Sequence, residues 1–270
     1  MRKIIITKAN GQKTPFDPRK VEFTCIRAGA DPSVAKDIAK QIHSRIHYGA
    51  TTKEIYSMVL QLLSKRGSVA IKQRYRLKES IMRLGPAGFS FETYVSQVLA
   101  NFGYKTKSIG KEFQGRCVKH EVDIAMEHLG KRWLVECKYH NMPGRYTGIK
   151  ESLYTHARFL DLVDSFDGEM LVCNTKVSDD VITYSNCIRQ KILSWKYPVG
   201  AGLEKMIEDK KLYPITMLGP TRLELEAFAK SKMMIAKDLI NVDINEFSRA
   251  TRIPLKRAIA LQRLSNQIIS

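Results

Sequence analysis

Hydrophobic and polar positions along the chain change rhythm three times. Lys3 to Lys8 is rich in β-branched residues, Asn10-Gly11 is a strong hairpin turn, and a short second strand reaches Phe16. Asp17-Pro18 then opens a helix, with a capping side chain followed by proline in the first turn, and Asp31-Pro32-Ser33 repeats the device. Thr51-Thr52-Lys53-Glu54 is a capping box, followed by Ile55, Met58, Val59, Leu62 and Leu63 at helical spacing. A fourth helix is predicted over Val69 to Arg83, and the breaker cluster Leu84-Gly85-Pro86-Ala87-Gly88 marks a boundary. Residues 1–83 therefore form a mostly helical first unit carrying a β-hairpin.

Beyond the breaker the rhythm alternates. Phe89 to Phe102 is helical through Phe91, Tyr94, Val95, Val98 and Leu99, and ends near Gly103. Strands are predicted over Tyr104 to Ile109, Cys117 to Met126, Arg132 to Tyr139 and Glu169 to Cys173, with helices over Glu151 to Val163 and Ser178 to Ser194. This order describes a mixed α/β sheet spanning residues 88–200. From Leu203 onward helical periodicity dominates, so residues 204–270 are a helical C-terminal segment. Its stretch "INEFSRATRIPLKRAIALQRLSNQII" holds two helices around Arg252-Ile253-Pro254, with Lys256, Arg257 and Arg263 beside the apolar stripe. Helix-hairpin-helix or helix-turn-helix DNA binding and a helical cap on the sheet both account for it.

Charge narrows the partners. Forty-five Lys and Arg against 27 Asp and Glu give the 270-residue chain a net charge of +18, which favours a polyanion, because phosphate contacts release condensed counterions. No apolar run approaches the ~20 residues that span a bilayer, and the start holds no apolar stretch long enough for a signal peptide. A cytoplasmic protein with no membrane partner is expected. Cys25, Cys117, Cys137, Cys173 and Cys187 are odd in number and scattered, without zinc-ligand spacing or a disulfide framework.

The chemistry concentrates in "EVDIAMEHLGKRWLVECKYH", residues 121–140. Side chains alternate along a strand, so Glu136 and Lys138 share one face while Val135, Cys137 and Tyr139 take the other. With a turn at Leu129-Gly130, positions summing to 259 lie opposite, which pairs Asp123 with Glu136 and Glu121 with Lys138. Facing carboxylates cost a sheet roughly 0.2 to 1 kcal/mol. A divalent cation reverses that sign: Mg²⁺ takes hard oxygen ligands and binds through one or two carboxylates plus substrate phosphate. Such an ion lowers the pKa of a bound water, and Lys138 is placed to orient that water or to neutralise charge on the phosphate. The set suits phosphodiester hydrolysis.

Glu92 on a helix, Gly103 ending that helix, then Asp123 and Glu136-Cys137-Lys138, together with "GFSFETYVSQVLANFGYKT" and "WLVECKY", resemble the PD-(D/E)XK nuclease superfamily, in particular its Mrr-type restriction endonucleases, over residues 88–200. The resemblance implies a restriction-endonuclease-like core. In it Asp123, Glu136 and the Cys137 backbone carbonyl would be metal ligands, Lys138 the catalytic lysine, and Glu92 an additional acid. Members of the superfamily often carry a glutamine on the helix after the ExK strand. Residues 146–163 hold none, and Lys150, Tyr154 or His156 stands in its place. His120 and His140 flank the strands and are read as surface residues.

In the first unit, Lys20 sits in the first turn of the helix opened by Asp17, where a cation opposes the helix dipole, and an anion shared with Lys8 would relieve the conflict. "ITKANGQKTPFDPRKV" and "TTKEIYSMVLQLL" resemble the ATP-cone domain, a regulatory ATP- or dATP-binding unit. That resemblance places Ile6, Lys8, Lys20 and Thr52 at the nucleotide. Ala9 departs from the pattern, an arginine being usual there, which reduces affinity or moves the phosphate grip toward Lys13.

The expectation is thus a Mg²⁺-dependent double-stranded DNA endonuclease, with Mn²⁺ as a substitute ion, regulated by ATP or dATP. A junction-resolvase-like nuclease and a nucleotide-responsive DNA-binding regulator without cleavage are the alternatives. One such site per chain cuts both strands only as a homodimer or by successive nicks.

Overall fold

The computed structural model describes residues 4–66, 69–85 and 89–270. The expected strand start at Lys3 and the end of the breaker cluster, residues 86–88, lie outside them. The first unit pairs β1 (Ile5–Thr7) with β2 (Lys13–Pro15) in an antiparallel hairpin, followed by α1 (Pro18–Arg27), α2 (Pro32–Arg45) and α3 (Thr52–Arg66). The sequence signals act as read: Asp17 accepts from the Arg19 N–H at 3.0 Å, Asp31 from the Ser33 N–H at 2.8 Å, and Thr51 and Glu54 exchange capping bonds. Val21, Ile38, Ile42, Val59 and Leu63 form this unit's core.

The pattern predicts one helix over 69–83, and the structure divides it at Arg76 into α4 (Val69–Tyr75) and α5 (Leu77–Ile81). The break lets the halves serve different cores. Ile71 and Tyr75 pack on the first, whereas Leu77, Ile81 and Leu84 are buried in the second.

The second core surrounds a mixed five-stranded sheet. After α6 (Phe89–Ala100) come β3 (Lys105–Gln114), β4 (Lys119–His128) and β5 (Lys131–Lys138), then β6 (Tyr146–Thr147) and α7 (Ile149–Asp161). β7 (Gly168–Cys173), β8 (Lys176–Val177), α8 (Asp179–Ile188) and β9 (Lys191–Leu193) complete it. The order is β3-β4-β5-β7-β9, antiparallel from β3 to β5 and parallel from β5 to β9, while β6 and β8 form a small parallel pair. Alternation sorts the faces. Ile124, Met126, Trp133, Val135, Met170 and Val172 join α6, whereas Leu134 meets Leu162 and Phe166 just beyond α7, and Leu171 meets Val181 of α8.

The helix expected over 178–194 ends early, because Arg189 turns into the left-handed region (φ 62°) and Gln190 bonds back to Ser185. Ile192 and Leu193 then bury at the sheet edge as β9, a strand too short to show in the pattern. The segment with α9 (Leu203–Asp209), α10 (Arg222–Lys230), α11 (Ile244–Thr251) and α12 (Leu255–Ile269) is built into the same core through Phe228, Phe247, Leu261 and Ile268. Among the described residues no helix is long and apolar enough to cross a membrane.

Tyr94 is fully buried on α6, and its hydroxyl donates to the Leu212 carbonyl at 2.8 Å. Tyr94→Phe leaves that carbonyl unpaired, so urea unfolding should show a loss of about 1 to 2 kcal/mol with an unchanged slope.

Candidate functional site

β4 and β5 pair in the expected register as far as Ile124 opposite Val135 and then part. The opposed pairs expected next, Asp123 with Glu136 and Glu121 with Lys138, fall beyond the last rung, and Glu121 pairs instead with Glu112 of β3. The reason lies in one side chain. The Asp123 carboxylate accepts the Cys137 backbone N–H at 2.7 Å, taking a donor that continued pairing with β4 would have used. β5 keeps its parallel rungs to β7 as far as Lys138 opposite Cys173. Polar side chains can therefore occupy the fork while the strand stays anchored on its other edge.

Acids converge there. Burial pushes the Asp123 and Glu136 carboxyls above the usual range, with the Asp123 charge adding to the effect on Glu136. Glu92, reaching in from α6, is pushed up to about 8 by burial and then by the charges of Asp123, Glu121 and Glu136. Lys138 acts the other way, its charge lowering both Asp123 and Glu136. Cys137 packs its thiol against the main core, where burial and then the charges of Asp123, Glu92 and Glu136 hold it protonated, and it gives the site its backbone. The fold thus gathers Glu92, Asp123, Glu136 and Lys138 in one electrostatic neighbourhood.

Arg158 of α7 is the residue the sequence reading missed. Its Nη1 donates to Glu136 Oε2, and its charge also lowers Asp123. Of the residues expected on this helix, Lys150 and Tyr154 are exposed, and His156 is engaged elsewhere. His156 Nδ1 lies 2.6 Å from Oε1 of the buried Glu169, whose Oε2 accepts from Gln190 at 2.8 Å. Gln190 in turn bonds Ser152. At the helix end Asp161 accepts from the N–H groups of Cys117 (2.7 Å) and Val118 (3.2 Å) and meets His120 Nε2 at 2.8 Å. α7 is pinned on both sides of Arg158. A signal was present: Arg158 follows Tyr154 by four residues, the spacing that repeats a helical face.

The end of β5 is held by the segment leading from the first unit. Tyr139 donates its hydroxyl to the Met82 carbonyl at 2.5 Å and accepts from the Gly85 N–H. His140 is bracketed by Asn174, which accepts from its N–H at 2.8 Å and donates to its carbonyl at 2.7 Å. Lys78 of α5 donates to the Asn174 carbonyl and lies 4.0 Å from the Trp195 ring centroid; burial pushes its amine down to about 7.

The nucleotide contacts expected in the first unit divide. Ile6 is buried in the core, so its side chain does not reach the surface, whereas Lys8, Lys13 and Lys20 are exposed and Thr52 opens α3. Lys8 Nζ donates to Gln12 Oε1 at 3.0 Å. The anion at the start of α1 is the chain's own Asp17, whose carboxyl is held below the usual range by Arg19. The hairpin turn meets the loop leaving β5: a side chain at Gly144 would come within 3.0 Å of the Asn10 nitrogen.

The donor set fits a hard divalent cation. Asp123, Glu136 and the Cys137 carbonyl are oxygen donors, and the raised carboxyls lie where added positive charge favours their ionised forms. Among the described residues no three His, Cys, Asp or Glu side chains stand ready as a metal cage. Asp123 and Glu136 are turned to Cys137 and Arg158 instead.

No family model matches the sequence. The chain is 36% identical over 148 residues to an uncharacterized protein of Archaeoglobus fulgidus, covering 54% of this chain and 84% of that protein. It also resembles the crystal structure of AF1548, a protein of unknown function, with 32% identity and a TM-score of 0.62, across 67% of this chain and 97% of that one.

Glu92 carries a prediction of its own. Folded, it keeps its proton up to about pH 8, against 4.5 as its ordinary value, so the native state binds the extra proton and stability falls as pH rises through that window. Glu92→Gln abolishes this. In thermal melts without divalent ions, the variant's midpoint should pull ahead of the wild type from about pH 4.5 to about pH 8 and then hold a constant lead.

Proposed function

We propose that this chain, which belongs to the family of the uncharacterized Archaeoglobus fulgidus protein, is a divalent-cation-dependent DNA endonuclease with a restriction-endonuclease-like core and an ATP-cone-like front unit that senses ATP or dATP. The observation that carries the reading is the fork between β4 and β5, where Asp123, Glu136 and Lys138 meet with Glu92 behind them.

Asp123 and Glu136, with the Cys137 carbonyl, would hold Mg²⁺ or Mn²⁺. When bound, such an ion supplies a water of lowered pKa and positive charge against the phosphate. Lys138 offers an ammonium to a non-bridging phosphate oxygen as charge builds there. Glu92, its carboxyl pushed up by burial and by the neighbouring acids, stands behind them as the additional acid of the site. The oxygen of the attacking water bonds to phosphorus as the bond to one sugar oxygen breaks; one proton of that water stays on the new phosphomonoester or passes to solvent, and the leaving sugar oxygen takes up the equivalent of the other from solvent. The net charge of +18 supports a nucleic-acid substrate by counterion release.

Regulation by nucleotide rests on Lys8, Lys20 and Thr52 in the first unit. It is supported by the approach of Asn10 to Gly144, which joins the hairpin turn to the loop six residues past Lys138. A second reading, a DNA-binding regulator without cleavage, draws on the partners that Asp123 and Glu136 already have.

Plasmid nicking with Mg²⁺ or Mn²⁺ separates the two. Asp123→Ala, Glu136→Ala and Lys138→Ala should each lower the rate on the order of a hundredfold or more. Cleavage indifferent to all three sinks the site, and tight DNA binding with no cleavage by wild type favours the regulator. In calorimetry with ATP and dATP, Lys8→Glu combined with Lys20→Glu should weaken binding about tenfold or more by reversing two charges. Unchanged affinity would remove the nucleotide from the first unit's hairpin.

A further inference from the structure

The Arg158–Glu136 ion pair sits where the proposed cation would be held. Its side chains are 27% and 17% exposed, so the pair is largely withdrawn from solvent. Removing one partner of such a pair strands a charge, which is why a guanidinium here neutralises Glu136 effectively. It is not a loose surface arm. Two residues before it His156 is tied to Glu169 on β7, and three residues after it Asp161 is tied to the β3–β4 turn and His120. The helix thus delivers the guanidinium to one place.

A carboxylate oxygen bonded to a guanidinium is not free for a metal ion. The two cations compete for Glu136, and a dication adds more charge to the cluster than the arginine does. Arg158 has five N–H donors, and the pairing with Glu136 engages Nη1, leaving others for a second acceptor. A phosphate at the fork is the acceptor that suits a planar guanidinium best.

We propose that Arg158 is a partner-switching residue: it neutralises Glu136 until a divalent cation takes that carboxylate, and then bonds a non-bridging phosphate oxygen of the bound nucleic acid. This rests on the metal-dependent reading above. It assigns α7 a direct part in the reaction.

The full-length chain would be titrated with Mn²⁺ alone by calorimetry, as wild type, Arg158→Ala, Arg158→Gln and Arg158→Lys. Loss of the competing charge should tighten Mn²⁺ about tenfold in Arg158→Ala and Arg158→Gln, with Arg158→Lys near wild type. Arg158→Gln keeps the length of the side chain and serves should the alanine variant unfold. At saturating Mn²⁺ single-turnover cleavage should fall on the order of a hundredfold in the uncharged variants, with part of the rate kept by lysine. A purely structural arginine predicts lower melting points with unchanged or weaker Mn²⁺ binding, and that outcome overturns the proposal. Equal Mn²⁺ affinity in wild type and Asp123→Ala would overturn the metal site itself and this inference with it.

Discussion

The bond from the Cys137 backbone N–H to the Asp123 carboxylate is the interaction on which the rest depends. Two antiparallel strands that paired to their ends would satisfy their own donors and leave no room for chemistry between them. By accepting that N–H, Asp123 ends the ladder at Ile124 and Val135 without leaving a buried donor unpaired, an omission that would cost about 1 to 3 kcal/mol. The sheet stays continuous because β5 remains bonded to β7 through the same stretch. The fork is opened by substituting a side chain for a backbone partner on one edge only.

The fork is also an electrostatic problem that the fold solves from three directions. Burial raises the carboxyls of Glu92 from α6, Asp123 from β4 and Glu136 from β5, and neighbouring charges add to it, those of Asp123, Glu121 and Glu136 on Glu92 and that of Asp123 on Glu136. Lys138 relieves part of this along the strand and Arg158 part from across the sheet. The buried His156–Glu169–Gln190–Ser152 network, together with the Asp161 cap, spends its polar bonds on fixing α7. Their consequence is felt two residues away from His156, in where the Arg158 guanidinium must sit.

The first unit meets the surroundings of the fork through contacts of α5, α1 and the hairpin turn. α4 belongs to one core and α5 to the other, so the turn at Arg76 is the hinge point between them in packing terms. From α5 onward Lys78, Met82 and Gly85 reach Asn174 and Tyr139, the residues that hold the strand end just past Lys138. Arg27 of α1 adds a cross-link to Glu204 and Glu208 of α9. The nearness of Asn10 to Gly144 closes a second path.

Sequence by itself determined the parts whose causes are local. The capping aspartates, the Thr51–Glu54 box, the Asn10-Gly11 turn and the period-two alternation of β5 act through neighbours within a few residues, so the pattern placed the hairpin, the first three helices and the Leu129-Gly130 register. It also singled out Asp123, Glu136 and Lys138 as residues bound for one neighbourhood. Tertiary structure alone decided where that register stops, because the choice of Asp123 over a continued ladder depends on β7 holding the far edge of β5. It divided residues 69–83 between two cores, made a strand of Lys191–Leu193 by supplying a sheet edge, and buried Ile6. It also chose Arg158 over His156, since which helical face meets the acids is set by the Glu169 and Asp161 anchors. Those partners stand 13 residues ahead of His156 and 41 residues behind Asp161, beyond the reach of any local pattern.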